Sequence, residues 1–310
     1  MILRSLGSIP TLGLTLGALG ALAAACDGDE KQVPVDAPRD IGFTKPKAAL
    51  KANKETAPDV WTEMGPANLG CLGTPANDQP TTVAVSLATK VRDFQSNNPV
   101  PNAAVTAFRD QDPTMTFDTK TADANADLTV TIPVGVKRFG FKMVDPSALD
   151  TLLLNQRVNP TQMTQTLSAI QSVSKTTATL LPALIGVSRT PGTGVLAGAL
   201  RDCAGNEVSN FIATVSSTRG AVTHLPGADT YYFSPTVGLP VKHAQQGSSS
   251  PDGLFMIIEL PVAASAFVQV WGYPTDADLA ADRLTLIAEL PTAVIADTVI
   301  TGSYEPLRTP

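Results

Sequence analysis

The 310-residue chain holds two histidines, His224 and His243, and three cysteines, Cys26, Cys71 and Cys203, and these few groups bound the chemistry open to it. Imidazole and carboxylate are ordinary metal ligands, so His224 and His243 could share a metal with Asp229 or Asp252. A hydrolase or metal-dependent enzyme would place its machinery in this same insert, residues 224–252. The spacing argues against it, because there is no H-E-x-x-H, no C-x-x-C and no ligand set at fixed intervals. Two histidines in exposed loops are the simpler reading. Asp123, Asn125 and Asp127 alternate like the opening of a calcium loop, in which each acid must reach one oxygen cage. Leu128 stands where that loop needs glycine and Val134 where it needs glutamate, so the segment reads as a solvated hairpin turn. Asp276, Asp278 and Asp282 make a weaker case of the same kind. Gly192-Thr193-Gly194-Val195-Leu196-Ala197 spells a dinucleotide fingerprint, but it follows Arg189-Thr190-Pro191 and opens a strand. The fingerprint works only where a helix N-terminus receives the pyrophosphate. No G-x-S-x-G nucleophile elbow occurs. These residues therefore assign no catalytic group, no metal and no cofactor.

The first 26 residues set the context for the cysteines. Arg4 precedes a charge-free apolar run, residues 6–25, which ends in Leu22-Ala23-Ala24-Ala25-Cys26. That order is the order of a secretory signal peptide. With a cysteine at the cut, the segment resembles the lipobox of bacterial lipoproteins, Ala23 standing where leucine is usual. The resemblance implies acylation of Cys26 and a membrane anchor in the bacterial cell envelope, on the periplasmic or outer surface; plain cleavage at the alanine patch is the alternative. Lipidation of Cys26 leaves Cys71 and Cys203 in a compartment where disulfides persist. They are then the natural pair, and closing a loop of that length would stabilise the fold by about 4–5 kcal/mol. Two separate thiols, or pairing between molecules, remain open at this point.

Composition narrows the partners. Without Arg4 the mature chain has 21 basic residues against 28 acidic ones, a net charge of −7 that would repel nucleic acid. Charged residues are 16% of the chain and aromatics 5%, with 25 prolines and 23 glycines, which fits short strands joined by many turns. No segment after the signal has eighteen consecutive apolar residues, the length a spanning helix needs.

Stepping along the chain, residues 26–60 read as the lipidated cysteine and a disordered tether, rich in lysine, acids and proline. Alternation begins at Val83, Val85 and Leu87, turns at residues 92–99, and resumes over 101–108, 128–132 and 139–143. The same succession returns at 195–200, 208–215, 254–258 and 267–271. Val91-Arg92-Asp93 answers Leu200-Arg201-Asp202, residues 99–103 answer residues 207–211, and Ile132-Pro133-Val134 answers Leu260-Pro261-Val262. The chain reads as two copies of one β module. Between them, Asn159-Pro160-Thr161 and the spacing of Met163, Leu167, Ile170 and Val173 predict a helix, and Pro182 should end or kink any helix holding Leu180-Leu181.

The order of strand, Asp-containing turn, "pv-na-v" strand, Asp-Gly turn and apolar strand closing in proline resembles the carboxypeptidase regulatory-like or transthyretin-like module. In the second copy the matching turns are Asp202-Cys203-Ala204-Gly205-Asn206 and Asp252-Gly253; in the first, Ala126 replaces the turn glycine. The resemblance implies a mainly β protein of two Ig-like or transthyretin-like antiparallel β-sandwiches with a short helical connector. The divisions it suggests are a signal peptide over 1–25, the tether over 26–60, a first module over 61–145, a connector over 146–192 and a second module over 193–310. Hydroxyisourate hydrolases share the transthyretin-like fold, but their histidine and arginine cluster and Tyr-Arg-Gly-Ser ending are unmatched. The expected role is non-enzymatic: an envelope protein that binds another protein or a glycan, or holds a surface structure in place. Its expected binding surface is an exposed aromatic patch of Tyr232 with Trp271 or Tyr273, since aromatics are enriched at hot spots; the alternative is that Tyr231 and Phe233 fill the sandwich core while Tyr232 is a partly covered surface residue.

Overall fold

The computed structural model describes residues 44–57, 60–167, 169–236, 238–242 and 244–309. It is mainly β. After an N-terminal hairpin, β1 (Lys51–Ala57) and β2 (Val60–Pro66), the first module begins with β3 (Val85–Asp93), whose alternate residues Val85, Leu87, Thr89 and Val91 are buried. Next come β4 (Ala104–Arg109), β5 (Thr116–Thr121), β6 (Asp127–Ile132), β7 (Arg138–Val144), β8 (Ala148–Arg157), β9 (Thr164–Thr166) and β10 (Ile170–Ser174). One layer runs β5-β4-β7-β8; the other pairs β6 antiparallel and β9 and β10 parallel with β3. Val105, Phe139, Phe141, Met143, Val130 and Ile132 fill the space between them.

The second module repeats this plan. Its strands are β11 (Gly194–Leu200), β12 (Glu207–Ser209), β13 (Ile212–Ser216), β14 (Asp229–Tyr232), β15 (Leu254–Leu260), β16 (Ala263–Gly272), β17 (Thr285–Val294) and β18 (Thr298–Tyr304). The layer β14-β15-β11-β18 faces the layer β13-β16-β17. The duplication extends to single backbone bonds. Val91 N–H donates to Ala126 O, and Leu200 N–H donates to Gly253 O. Asn102 N–H donates to Ala122 O, and Asn210 N–H to Ser249 O. Both asparagines take a left-handed backbone, with φ of 62° and 69°, which asparagine tolerates better than most residues. Asp93 and Asp202 each accept two backbone N–H groups of the turn that follows them.

The two modules share a sheet. β8 pairs antiparallel with β7 on one side and parallel with β18 on the other, in the register Asp150↔Thr298 through Leu154↔Gly302. Among the described residues, eight strands thus run side by side, β5-β4-β7-β8-β18-β11-β15-β14, and β10 joins β3, β6 and β9 to them by pairing with Ala148 and Leu149 of β8, twelve strands in all. Leu153 of β8 enters the first core, whereas Leu152 and Leu154 enter the second. Because strand side chains alternate faces, the partner layers lie on opposite sides of the shared sheet. Arg138 bridges Asp78 and Glu305 across the junction, Arg157 also pairs with Glu305, and Asn155 donates its amide to Ser303 O.

Helix α1 (Lys175–Leu184) starts at Ser174, whose Oγ accepts the Thr177 N–H, and carries Pro182 in its last turn. Ala178 and Leu181 cover the outer face of the second module, against Tyr231, Phe233, Met256, Ile258 and Val299, around an apolar cavity of about 50 Å³. The sheet is therefore buried on both faces here, which explains why residues 254–258 are a continuous apolar run. A second short helix, α2 (Asp276–Ala280), follows β16.

Three expectations are corrected. The sandwiches are not purely antiparallel, since β3–β9, β3–β10, β8–β18 and β11–β18 are parallel. The helix expected over residues 161–173 is replaced by β9 and β10; Ile170 completes the first core while Met163 is 66% exposed, so the helical spacing was coincidental. Residues 49–57, read as tether, are ordered, and β2 does not belong to the first module. β1 pairs with both β2 and β12, and Ala49, Leu50, Ala52 and Asn53 are buried against the second module.

The duplicated turn gives a paired test. Gly253 and Ala126 sit at equivalent corners with φ of 65° and 63°. A Cβ on Gly253 would meet Val208 O at 3.1 Å and Leu200 O at 3.2 Å. Gly253→Ala should cost about 1–2 kcal/mol from the left-handed backbone alone. For Ala126→Gly, relief of that strain is offset by the loss of a buried methyl, about 0.8 kcal/mol, so the net change should be smaller. Urea unfolding of both variants measures the difference; equal losses would contradict the equivalence of the corners.

Candidate functional site

The aromatic residues expected to form a surface patch are core. Tyr232, Trp271 and Tyr273 are 3%, 8% and 2% exposed. Tyr232 packs edge-on to Phe211 between the two layers of the second module, and its Oη accepts the Ala213 N–H. Tyr231 and Phe233 face the other way, under α1, as strand alternation requires. The physical reason is that β14 has a covered surface on both sides, one from β13-β16-β17 and the other from the helix. Trp271 pairs across to Ile212 at one end of the β13–β16 ladder, and both are buried in the second core. Tyr273 donates its hydroxyl to Asp282, which also binds Lys45, and its carbonyl accepts the Leu50 N–H.

The titratable residues of the insert are also structural. His224 Nδ1 accepts the Val215 N–H, and its Nε2 lies 3.1 Å from Thr230 Oγ1, which donates onward to Ala213 O. Asp252 Oδ1 accepts from Ser250 Oγ and Leu254 N–H, tying the turn before β15. Asp229 accepts the Tyr231 hydroxyl. His243 lies outside the described residues, and no group of three metal-ligating side chains occurs among the described ones. Asp123 Oδ1 accepts the N–H groups of Asn125 and Asp127, the hairpin turn expected, and Asp127 pairs with Lys90. Cys71 and Cys203 form a disulfide, with Cα atoms 5.8 Å apart. The Cys71 segment is docked on the turn by Cys203 N–H to Asn68 O and Asn68 N–H to Asp202 Oδ2.

A polar cleft of about 460 Å³ opens where the N-terminal hairpin meets the second module. One wall is the β12-β1-β2 sheet, which brings Asn53, Trp61, Glu63 and Ser209 to the cleft, and the other is formed by Pro235, Gln246 and residues 248–251. Its volume is that of an ordinary small-ligand site. Asn53 is 1% exposed; its amide hydrogens go to Lys51 O and Ser209 Oγ, and its carbonyl oxygen accepts no hydrogen bond among the described residues. Gln246 donates to Ser248 O and likewise keeps its side-chain oxygen free, as Ser248 keeps its hydroxyl. Lys51 Nζ lies 3.7 Å from Glu63, so the one carboxylate of the lining is countered. The one sequence signal for this site was Trp61 with Glu63 at strand spacing, inside residues otherwise read as tether and module start.

No family model matches the chain. No curated protein matches it either. Among solved structures, the shaft pilin SpaA from Lactobacillus rhamnosus GG aligns at 10% identity and a TM-score of 0.22, over 73% of this chain and 98% of the pilin. A streptococcal ancillary pilin aligns at 14% identity and 0.22, over 73% of this chain and 63% of that one. The 3-chlorocatechol 1,2-dioxygenase from Rhodococcus opacus 1CP covers 39% of this chain at 10% identity and 0.22.

Two outcomes follow from the burial of the aromatics. Tyr232→Ala and Phe233→Ala should each cost about 3–5 kcal/mol in chemical denaturation, since both delete core side chains; a silent Tyr232→Ala would return that residue to the surface. All four tyrosines, at 231, 232, 273 and 304, hold their protons above the ordinary value, burial being the leading cause in each, and Tyr273 is pushed up to about 12. The unfolded chain releases those protons near pH 10. Above that pH the folded state binds more protons than the unfolded one, so stability should fall between pH 10 and about 12. Phenolate absorbance should then rise together with loss of structure, and four tyrosines titrating near pH 10 in folded protein would refute it.

Proposed function

We propose that this chain is an exported, lipid-anchored envelope protein that binds a partner or holds a surface structure through two fused β-sandwiches, without catalysing a reaction. The observation that carries this reading is the Cys71–Cys203 disulfide, a bond that persists in oxidising compartments, in a chain whose first 26 residues resemble an export signal ending at Cys26. Cys26 itself lies outside the described residues. The two modules are joined by a ladder, two cores that share β8 and a set of ion pairs, which suits a rigid scaffold better than a hinged catalyst. The groups that an enzyme of the 224–252 insert would use, His224, Asp229 and Asp252, all hold neighbouring backbone or side chains in place. The partner is a protein or glycan of the envelope, and the net charge of −7 disfavours nucleic acid.

A single acyl chain holds a protein only marginally, whereas two or three hold it stably. Cys26→Ser should therefore move the protein from the membrane fraction to the soluble one, or leave it uncleaved; unchanged fractionation would end the anchor reading. Cys71→Ser should leave an intact fold weakened by about 2–5 kcal/mol. Non-reducing mass spectrometry after alkylation should find no free Cys71 or Cys203 in the native protein, and two alkylated sites there would exclude the internal bond in the cell.

A further inference from the structure

The cleft beside the N-terminal hairpin has the composition of a sugar site. We propose that it binds a neutral oligosaccharide, an inference that rests on the binding role proposed above and names its ligand class. Trp61 is half-buried at the rim, so part of its ring is fixed by the sheet while part faces the cleft. An indole face offers an apolar, electron-rich plane against which the C–H face of a pyranose can pack. The remaining lining supplies what sugar hydroxyls need, groups that accept and groups that donate. Asn53 Oδ1 and Gln246 Oε1 accept no hydrogen bond among the described residues, and the Ser248 hydroxyl is uncommitted.

Asn53 is the most telling of these. It is almost wholly buried, and its amide is held by Lys51 O and Ser209 Oγ, so its carbonyl oxygen is pre-aimed. Asn53 Oδ1 is not one of the buried polar atoms cut off from water, so a ligand hydroxyl can take the place of a bound water there. Charge selects among sugars. Glu63 is the one charged residue of the lining, and Lys51 stands 3.7 Å from it, so the cleft has no surplus cation for a sulfate, phosphate or uronate.

The chain has two tryptophans, and Trp271 is buried, which makes the test direct. In full-length Trp271→Phe protein, Trp61 is the sole tryptophan, and its emission can be titrated with maltotriose, cellotriose, mannotriose, tri-N-acetylchitotriose and trigalacturonate. A saturable change is expected with at least one neutral trisaccharide below about 10 mM, an ordinary range for a shallow site. Gln246→Ala and Ser248→Ala, on the open wall, should weaken that binding about tenfold or more together while leaving thermal unfolding unchanged. Calorimetry with Trp61→Ala should show binding lost. The proposal is overturned if no neutral trisaccharide binds, if trigalacturonate binds equally well, or if Trp61→Ala binds as before. None of these outcomes touches the fractionation of Cys26→Ser, so the site and the anchor fail separately.

Discussion

Parallel pairing of β8 with β18 is the constraint to which most of the architecture answers. β8 lies between β7 of its own module and β18 of the other, so the peptide groups on both of its edges are used. A strand in that position cannot tilt or slide without breaking two ladders, and a slip of one residue would turn Leu153 out of the first core and Leu152 and Leu154 out of the second. The modules therefore have a fixed relation that neither core alone would impose. Placement of their outer layers on opposite faces of the shared sheet follows from the same three leucines. Arg138, Arg157, Asp78 and Glu305 then gather at the end of the seam, where their charges are partly sheltered from water.

Much of the first module was legible because its strands have one covered and one wetter face. β3 and β6 alternate strictly, and the paired turns at Asp93 and Asp202 could be set side by side from residue types alone. Even the substitution of Ala126 for the turn glycine was visible, although not that the corner would keep its φ of 63°. What sequence could not reveal is pairing between distant segments. β8, β10, β17 and β18 carry no turn grammar that says which neighbour they take, and β10 follows Met163 and Leu167 at a spacing that mimics a helix. Its strand state comes from a slot beside β3 that exists only in the folded protein.

The site was less legible than the fold. Tyr232, expected at the surface with Trp271 or Tyr273, belongs to a chain in which aromatics are scarce, and the two cores and the space under α1 consume most of them. The cleft, in contrast, is built from residues 51–66 and 246–251, whose lysines, acids and serines look like solvent-facing chain. Only β1, docked between β2 and β12, turns them into a wall. Leu50, wholly buried beside Gly272, anchors that strand.

The bond between Cys71 and Cys203 spans 132 positions, and the whole of the first module lies inside the loop it closes. Traced as a mechanical linkage, the polypeptide entering from the N-terminus reaches the hairpin, then Cys71, and there crosses a covalent bridge straight to the second module. Tension applied between the N-terminal segment and the second module would load Leu50 and the β1–β12 pairing first, with the sulfur bridge as the covalent stop behind them. The first module would hang beside that line of force like a side pulley, its hydrogen-bonded ladders unloaded.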